Sequence, residues 1–470
     1  MTTVHSEEEV CERVRESMPS LWATLDHLVR FRSVSAQNPE TLRATADDVV
    51  RLLHEAGVPS AQVITVEHDG HRSAPLVHAH EAGTGDGPTV LLYAHYDVQP
   101  ADAARWTKIE DPFAPASLTE PDGVRMYGRG TADDKAGIVM HLGAVRSLGG
   151  AAGLPFTLKI VVEGEEETGR SALDSHLAAH PDDERFTADL VVVADTGNVR
   201  LGVPTLTSTL RGIAVVDVTL RTLKQEIHSG MYGGPTPDAF MALTQVLATM
   251  LDPDDGSVTV PGLTEYDGTW PTVDEEEFRA AAGVLGSGAE RPRLLGTGTL
   301  ASRLYGKPSI NVVGLSGVPG MDQPVNALRS EVTARISVRI APDQDPQKAL
   351  QALSEHIRRA TPWNVEAQIE PVGEGSGFTA IPGQHAGIVE HALLRSHGAT
   401  EVQRAGQGGS IPLVAAFRRA NPQADIVLWG CEEPRANIHG HDESVDRAEL
   451  ERLTTAEALL LHALRTPARS

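Results

Sequence analysis

Thr89-Val90-Leu91-Leu92-Tyr93-Ala94-His95-Tyr96-Asp97-Val98 is the stretch that decides how this chain is read. Its opening residues, Thr89 to Tyr93, are aliphatic, aromatic or β-branched without polar alternation, the pattern of a strand buried on both faces. His95 and Asp97 follow two apart, so strand alternation points them to one side. In open α/β sheets ligands bind beyond the carboxyl ends of the strands. There an imidazole can ligate a metal while Asp97 accepts from its other ring nitrogen. Taken alone, the stretch reads sooner as a surface loop that holds a His and an Asp by chance.

Outward from this strand the pattern repeats. Before it, Ser6 to Gly57 carries apolar residues at helical spacing, with Leu21, Leu25, Leu28 and Val29 on one stripe. After it come a helical stretch, Ala136 to Leu148, and two further apolar runs, Phe156 to Val162 and Leu190 to Val193. Strands alternating with helices predict an α/β domain with a mostly parallel central sheet. From Leu206 to Val372 the texture changes. Ile213 to Leu220 and Val332 to Ile340 alternate apolar and polar positions, Ala239 to Leu251 and Gln347 to Ala360 read as helices across them, and Leu251 to Gly306 reads as an elaborated loop. The tail returns to the first texture with a helix at His385 to Ser396, a strand at Asp425 to Trp429 and a helix at Arg447 to Leu464. The expectation is an α/β domain split into residues 1–205 and 373–470 by a compact α+β insertion, residues 206–372.

Composition narrows the function classes. With 40% hydrophobic residues over 470 positions the chain has material for packed cores. Forty basic against 64 acidic residues give a net charge of −24, which repels phosphate and argues against nucleic-acid or anionic-membrane partners. Two cysteines, Cys11 and Cys431, exclude a disulfide framework and a four-cysteine zinc site. An acidic N-terminus and the lack of any apolar run of about 18 residues predict a soluble, cytoplasmic protein.

Four more segments bear chemistry. Gly128-Arg129-Gly130-Thr131-Ala132-Asp133-Asp134-Lys135 joins a glycine-rich turn to a helix start; its spacing fits neither phosphate-binding fingerprint, and its carboxylates read as a helix cap or as a metal ligand. Glu163-Gly164-Glu165-Glu166-Glu167 ends an apolar strand, where like charges repel unless a cation relieves them. Asp195 repeats the motif at the lip of Leu190 to Val193, and Ile438-His439-Gly440-His441-Asp442-Glu443 follows the last strand. Imidazole and carboxylate without thiolate suit a catalytic Zn²⁺, Mn²⁺ or Co²⁺ site.

His95-x-Asp97, Gly128-x-Gly130-x-x-Asp133-Asp134-Lys135, Glu163-Gly-x-Glu166-Glu167-x-Gly169, Asp195 and His439, in this order, resemble the signature of the dinuclear zinc exopeptidases, a family that includes carnosinases, bacterial dipeptidases, aminoacylases and succinyl-diaminopimelate desuccinylases. The resemblance implies two divalent ions per chain, zinc first. His95 and Asp195 would hold one, Glu167 and His439 the other, and Asp133 would bridge them, with the Asp133–Asp134 peptide in cis. It further implies Glu166 as general base for a metal-activated water and Asp97 as the partner of His95.

Glu226-Ile227-His228-Ser229-Gly230-Met231-Tyr232 resembles the lid motif of the carnosinase-like dipeptidase branch. Ser337-Val338-Arg339 resembles the lid strand whose arginine receives the substrate carboxylate, and Gln407-Gly408-Gly409-Ser410 a catalytic-domain loop facing the substrate. The inserted domain would then be a lid that also dimerises, with His228 stabilising the oxyanion in the partner subunit's site. The chain departs from the family at Asn326, where relatives usually carry proline. The implied activity is hydrolysis of a dipeptide; the alternative is deacylation of N-acyl or N-carbamoyl amino acids on the same fold. A catalytically dead binding protein would have lost a ligand or Glu166, and none is lost. A carboxylate-pair glycosidase would not need His95 and His439.

Overall fold

The computed structural model describes residues 6–465 except 36, 170, 287, 289, 290 and 410. The chain divides into two compact units, Met1–Ser208 with Ala380–Ala405 and Leu413–Ser470, and Thr209–Thr379 with Gly406–Pro412.

The first unit is built on a six-stranded sheet in the order Gln62–Ile64, Leu76–Glu81, Thr157–Glu163, Thr89–His95, Leu190–Val193, Asp425–Leu428. The last four strands are parallel, and the first two are added antiparallel at one edge. Leu91, Leu92, Tyr93, Ile160, Val161, Val192 and Val193 are all fully buried, as expected of central strands covered on both faces. The helices Glu7–Val29, Lys135–Ser147 and Arg447–Ala463 pack on one another, and Ala386–His397 joins them. The stripe Leu21, Leu25, Leu28, Val29 lies within this core. Each such side chain contributes about 1.5–3 kcal/mol by leaving water. A smaller antiparallel sheet of Ala116–Glu120, Gly123–Tyr127 and Ser444–Asp446 brings the chain's C-terminal part beside the Gly128 turn.

The second unit is a four-stranded antiparallel sheet in the order Ser309–Ser316, Glu331–Ile340, Gly212–Arg221, Ala367–Gly375. Its two central strands alternate buried and half-exposed residues, and the helices Ala239–Ala248 and Pro346–Ala360 cover the buried face.

The second compact unit runs from Thr209 to Thr379 and also takes Gly406–Pro412, where the sequence reading drew residues 206–372. Two expectations change. Leu76–Glu81 is a strand that the sequence did not announce. The segment Leu251 to Gly306 is not loop alone: Asp274 and Thr299 cap the short helices Glu275–Ala281 and Leu300–Tyr305.

Candidate metal centre

Four strand ends or the loops just after them converge in the first unit. Asp133 divides its carboxylate between two histidines: Oδ1 lies 3.0 Å from His95 Nε2, and Oδ2 lies 3.0 Å from His439 Nε2. Asp195 Oδ1 is 3.4 Å from His95 Nε2, and Glu167 Oε2 is 3.2 Å from His439 Nε2. Two triads result, His95–Asp133–Asp195 and Asp133–Glu167–His439, each with donor atoms within 4.8 Å of one another, and they share Asp133. His95 Nε2 is buried without a hydrogen-bond partner that satisfies it. A ring nitrogen so placed, among oxygens only, is what a divalent cation takes as ligand. The residues of both triads fit a divalent cation.

The electrostatics agree with that fit. Burial opposes charge on His95, yet the charge of Asp195 and the neighbouring carboxylates of Asp133 and Asp97 raise its pKa well above the usual range. Hydrogen bonds to Asp133 and Glu167 push His439 up to about 10. Burial and then the charge of Asp195 lift the Glu166 carboxyl well above the carboxylate range. The cluster therefore calls for positive charge at its centre.

The local folding that sets these atoms is specific. The adjacent carboxylates at the Gly128 turn have separate tasks. Asp134 caps the Lys135–Ser147 helix through Gly137 N–H at 3.1 Å and accepts the His95 N–H at 3.1 Å, which leaves Asp133 free for the histidines. The Asp133–Asp134 peptide is cis. The glutamate run divides likewise. Glu163 accepts from Tyr93 Oη at 2.8 Å, and Glu165 from the N–H groups of Ala74 and Ala172 at 2.9 and 2.6 Å. Glu166 and Glu167 remain for the site.

Asp97 does less to the imidazole than expected. His95 Nδ1 lies 3.0 Å from the main-chain oxygen of Asp97 and 3.5 Å from its carboxylate. The carboxylate instead accepts the N–H groups of Glu166 and Glu167, at 3.2 and 3.0 Å, and so fixes the turn that carries both. Three residues gained no role from the sequence. Gln99 donates to Glu167 Oε2 at 2.7 Å. Glu443 gathers the N–H groups of Gly130, Ala132 and Asp133. Glu432 is buried, and burial followed by the charge of Asp195 holds its carboxyl well above the carboxylate range. Gln99 follows the His95-x-Asp97 motif closely enough to be sought there; the other two gave no sequence signal beyond acidity.

A model of Peptidase family M20/M25/M40 matches residues 91–464, the span that holds every residue of both triads. The chain belongs to this family. It is 35% identical to the cysteinylglycine-S-conjugate dipeptidase of Corynebacterium striatum over 435 residues, 90% of each chain. Among solved structures, the dipeptidase Dug1p of Saccharomyces cerevisiae superposes with a TM-score of 0.81 at 20% identity, covering 99% of this chain and 100% of that one. Human carnosine dipeptidase 1 superposes with a TM-score of 0.78 at 22% identity, covering 98% and 99%. These two likenesses show that the fold is that of the M20 peptidases.

The remaining expected site residues of this M20 peptidase lie in the second unit. His228 is exposed, caps the Ser229–Tyr232 turn and accepts the Gly230 N–H at 3.1 Å through Nδ1. The main-chain oxygen of Asn326, the departure from the family pattern, accepts the Ser229 N–H at 3.1 Å. Arg339 is half-buried opposite Ile213. Arg211 stands just before that strand, bonded to the carbonyl oxygens of Gly408 and Lys307, and burial followed by the charge of Arg339 lowers it to about 10. Gly409 is half-exposed, and Ser410 lies outside the described residues.

Proposed function

We propose that this M20 peptidase is a dipeptidase that uses two divalent ions, Zn²⁺ first and Mn²⁺ or Co²⁺ as substitutes. The observation that carries the reading is the division of Asp133 between His95 and His439. His95 and Asp195 would hold one ion, Glu167 and His439 the other, with Asp133 between them. Bound there, such ions polarise a scissile carbonyl and bring the pKa of a water toward neutrality. Glu166 takes the proton of the attacking water and passes it to the leaving amine. Asp97 keeps Glu166 and Glu167 in register by holding their N–H groups.

Arg339 receives the terminal carboxylate of the substrate through charge-assisted hydrogen bonds, which sets a two-residue length. Gly409 and Ser410 line the same substrate. His228 stabilises the oxyanion, supplied from the lid of a second subunit in a homodimer. The domain reading follows: residues 1–205 and 373–470 catalytic, 206–372 lid and dimerisation. No helix among the described residues is long and apolar enough to cross a membrane, and we place the protein in the cytoplasm with a small peptide as its partner. The test is a panel of dipeptides, tripeptides and N-acyl amino acids on metal-reconstituted protein. Dipeptide turnover supports the reading; turnover of N-acyl amino acids alone would replace it with deacylation.

A further inference from the structure

On the face opposite its helices, the sheet of the second unit pairs cations with acids across strands. Arg335 stands opposite Asp217 and holds its carboxylate at 2.7 and 2.8 Å, and Arg221 stands opposite Glu331 at 3.8 Å. Four residues beyond Arg335 on the same strand and face, Arg339 has Ile213 in register on one side and Ser309 on the other. Residues in register share a face, so the Ser309 hydroxyl and the Arg339 side chain leave the sheet together.

Arg211 reaches the same place from the strand's entry. Its Nη1 donates to Ser309 Oγ and to the Lys307 carbonyl, each at 3.2 Å, and its Nε donates to the Gly408 carbonyl at 3.2 Å. Ser309 thus touches one guanidinium and stands in register with the other. The acceptors of Arg211 are all neutral, and no acid pairs with it among the described residues, although the chain carries 64 acids to 40 bases. Even the adjoining Lys307 has Glu265 at 3.0 Å. The Nη2 of Arg211 makes no hydrogen bond among the described residues. A Cβ on Gly408 would come 3.0 Å from that nitrogen, so glycine leaves its edge uncrowded. A half-buried cation that has given up part of its water and gained no acid is a place where an anion is favoured.

We propose that Arg211 is a specificity-determining residue, which with Arg339 forms a two-guanidinium site for a substrate with two carboxylates, a dipeptide whose C-terminal residue is aspartate or glutamate. This rests on the dipeptidase reading above, in which Arg339 receives the terminal carboxylate. The Nη2 edge of Arg211 then takes the side-chain carboxylate through a charge-assisted hydrogen bond.

The experiment measures kcat/KM of metal-reconstituted full-length protein, wild type and Arg211→Gln, on Ala-Asp against Ala-Asn and on Ala-Glu against Ala-Gln, pairs of equal shape that differ by one charge. Wild type should prefer the acidic member of at least one pair by about 10–100-fold, the worth of a hydrogen bond between ionised groups. Arg211→Gln should bring that ratio near one, chiefly through KM. Arg211 also holds the Gly408 carbonyl, but loss of that support alone lowers both members of a pair together and leaves the ratio standing. If Arg211→Gln does not fold, Arg211→Met makes the same comparison, and the wild-type preference is read without either. No wild-type preference for an acidic member, or a preference that survives the substitution, would overturn the inference. Protein that turns over none of these dipeptides would overturn the dipeptidase reading and the inference with it, a different result from turnover without preference.

Discussion

Glu443 and Asp133, 310 residues apart in sequence, are joined by a hydrogen bond of 3.3 Å from the Asp133 N–H to Glu443 Oε1. The same carboxylate pairs with Arg129 and accepts the N–H groups of Gly130 and Ala132. The turn that presents the shared carboxylate of the metal centre is therefore hung on one buried acid from the far end of the chain. Glu443→Ala leaves Arg129, 3% exposed, as an unpaired buried cation. It should cost about 3–5 kcal/mol of stability and release bound metal. Urea unfolding and metal analysis of the purified variant check both; full metal retention at wild-type stability would sink the claim.

Glu166→Gln keeps the shape of the side chain and removes its proton acceptance. Turnover should fall by about 10²–10⁴-fold with two metal equivalents still bound. Loss of metal together with activity would make Glu166 a ligand and not the base.

Asp133→Ala removes a ligand from both triads, whereas Asp195→Ala removes one from a single triad. The first should leave less than one tightly held equivalent and the second about one, read by metal analysis after identical reconstitution. Equal stoichiometry in the two variants would end the shared-carboxylate model.

Arg339→Ala should raise KM for substrates with a free carboxylate, and His228→Ala should lower kcat, since Arg339 is proposed to hold bound substrate and His228 the transition state. Co-expressed His228→Ala and Glu166→Gln chains should recover activity in a verified heterodimer, where one composite site is intact. An inactive heterodimer would confine His228 to its own subunit or remove it from the reaction.

His397, at the end of the Ala386–His397 helix, is lowered to about 4 from 6.5 by burial, which outweighs its bond to the Leu393 carbonyl. The folded form stays neutral while the unfolded chain binds a proton as the pH drops below 6.5. Its contribution is therefore present in full above about pH 6.5 and is lost as the pH falls towards 4, by up to roughly 3 kcal/mol. His397→Gln should flatten that part of the stability-against-pH curve; an unchanged curve would assign acid lability elsewhere.

Much of the fold was legible because buried parallel strands declare themselves as apolar runs. Leu76–Glu81 did not, since His78 and His80 interrupt the run; burial of His78 depends on a bond to the Arg185 carbonyl 107 residues away, which no local pattern records. The ligand candidates were legible through motif order. Their supports were not: the choice between Asp133 and Asp134 is made by the Gly137 and His95 N–H groups, and Gln99 and Glu443 act only across the folded molecule. The short helices at Glu275–Ala281 and Leu300–Tyr305 carried readable caps, Asp274 and Thr299, within a segment whose composition masked them.

The division of the first unit between the two ends of the chain has a consequence for biosynthesis. His439, Glu443 and the strand Asp425–Leu428 are made only after the whole second unit, so a nascent chain holds four of its five candidate ligands, His95, Asp133, Glu167 and Asp195, before the acid that aims Asp133 exists. The second of the two triads therefore closes only once His439 has been made, and the shared carboxylate is presented only once Glu443 follows it.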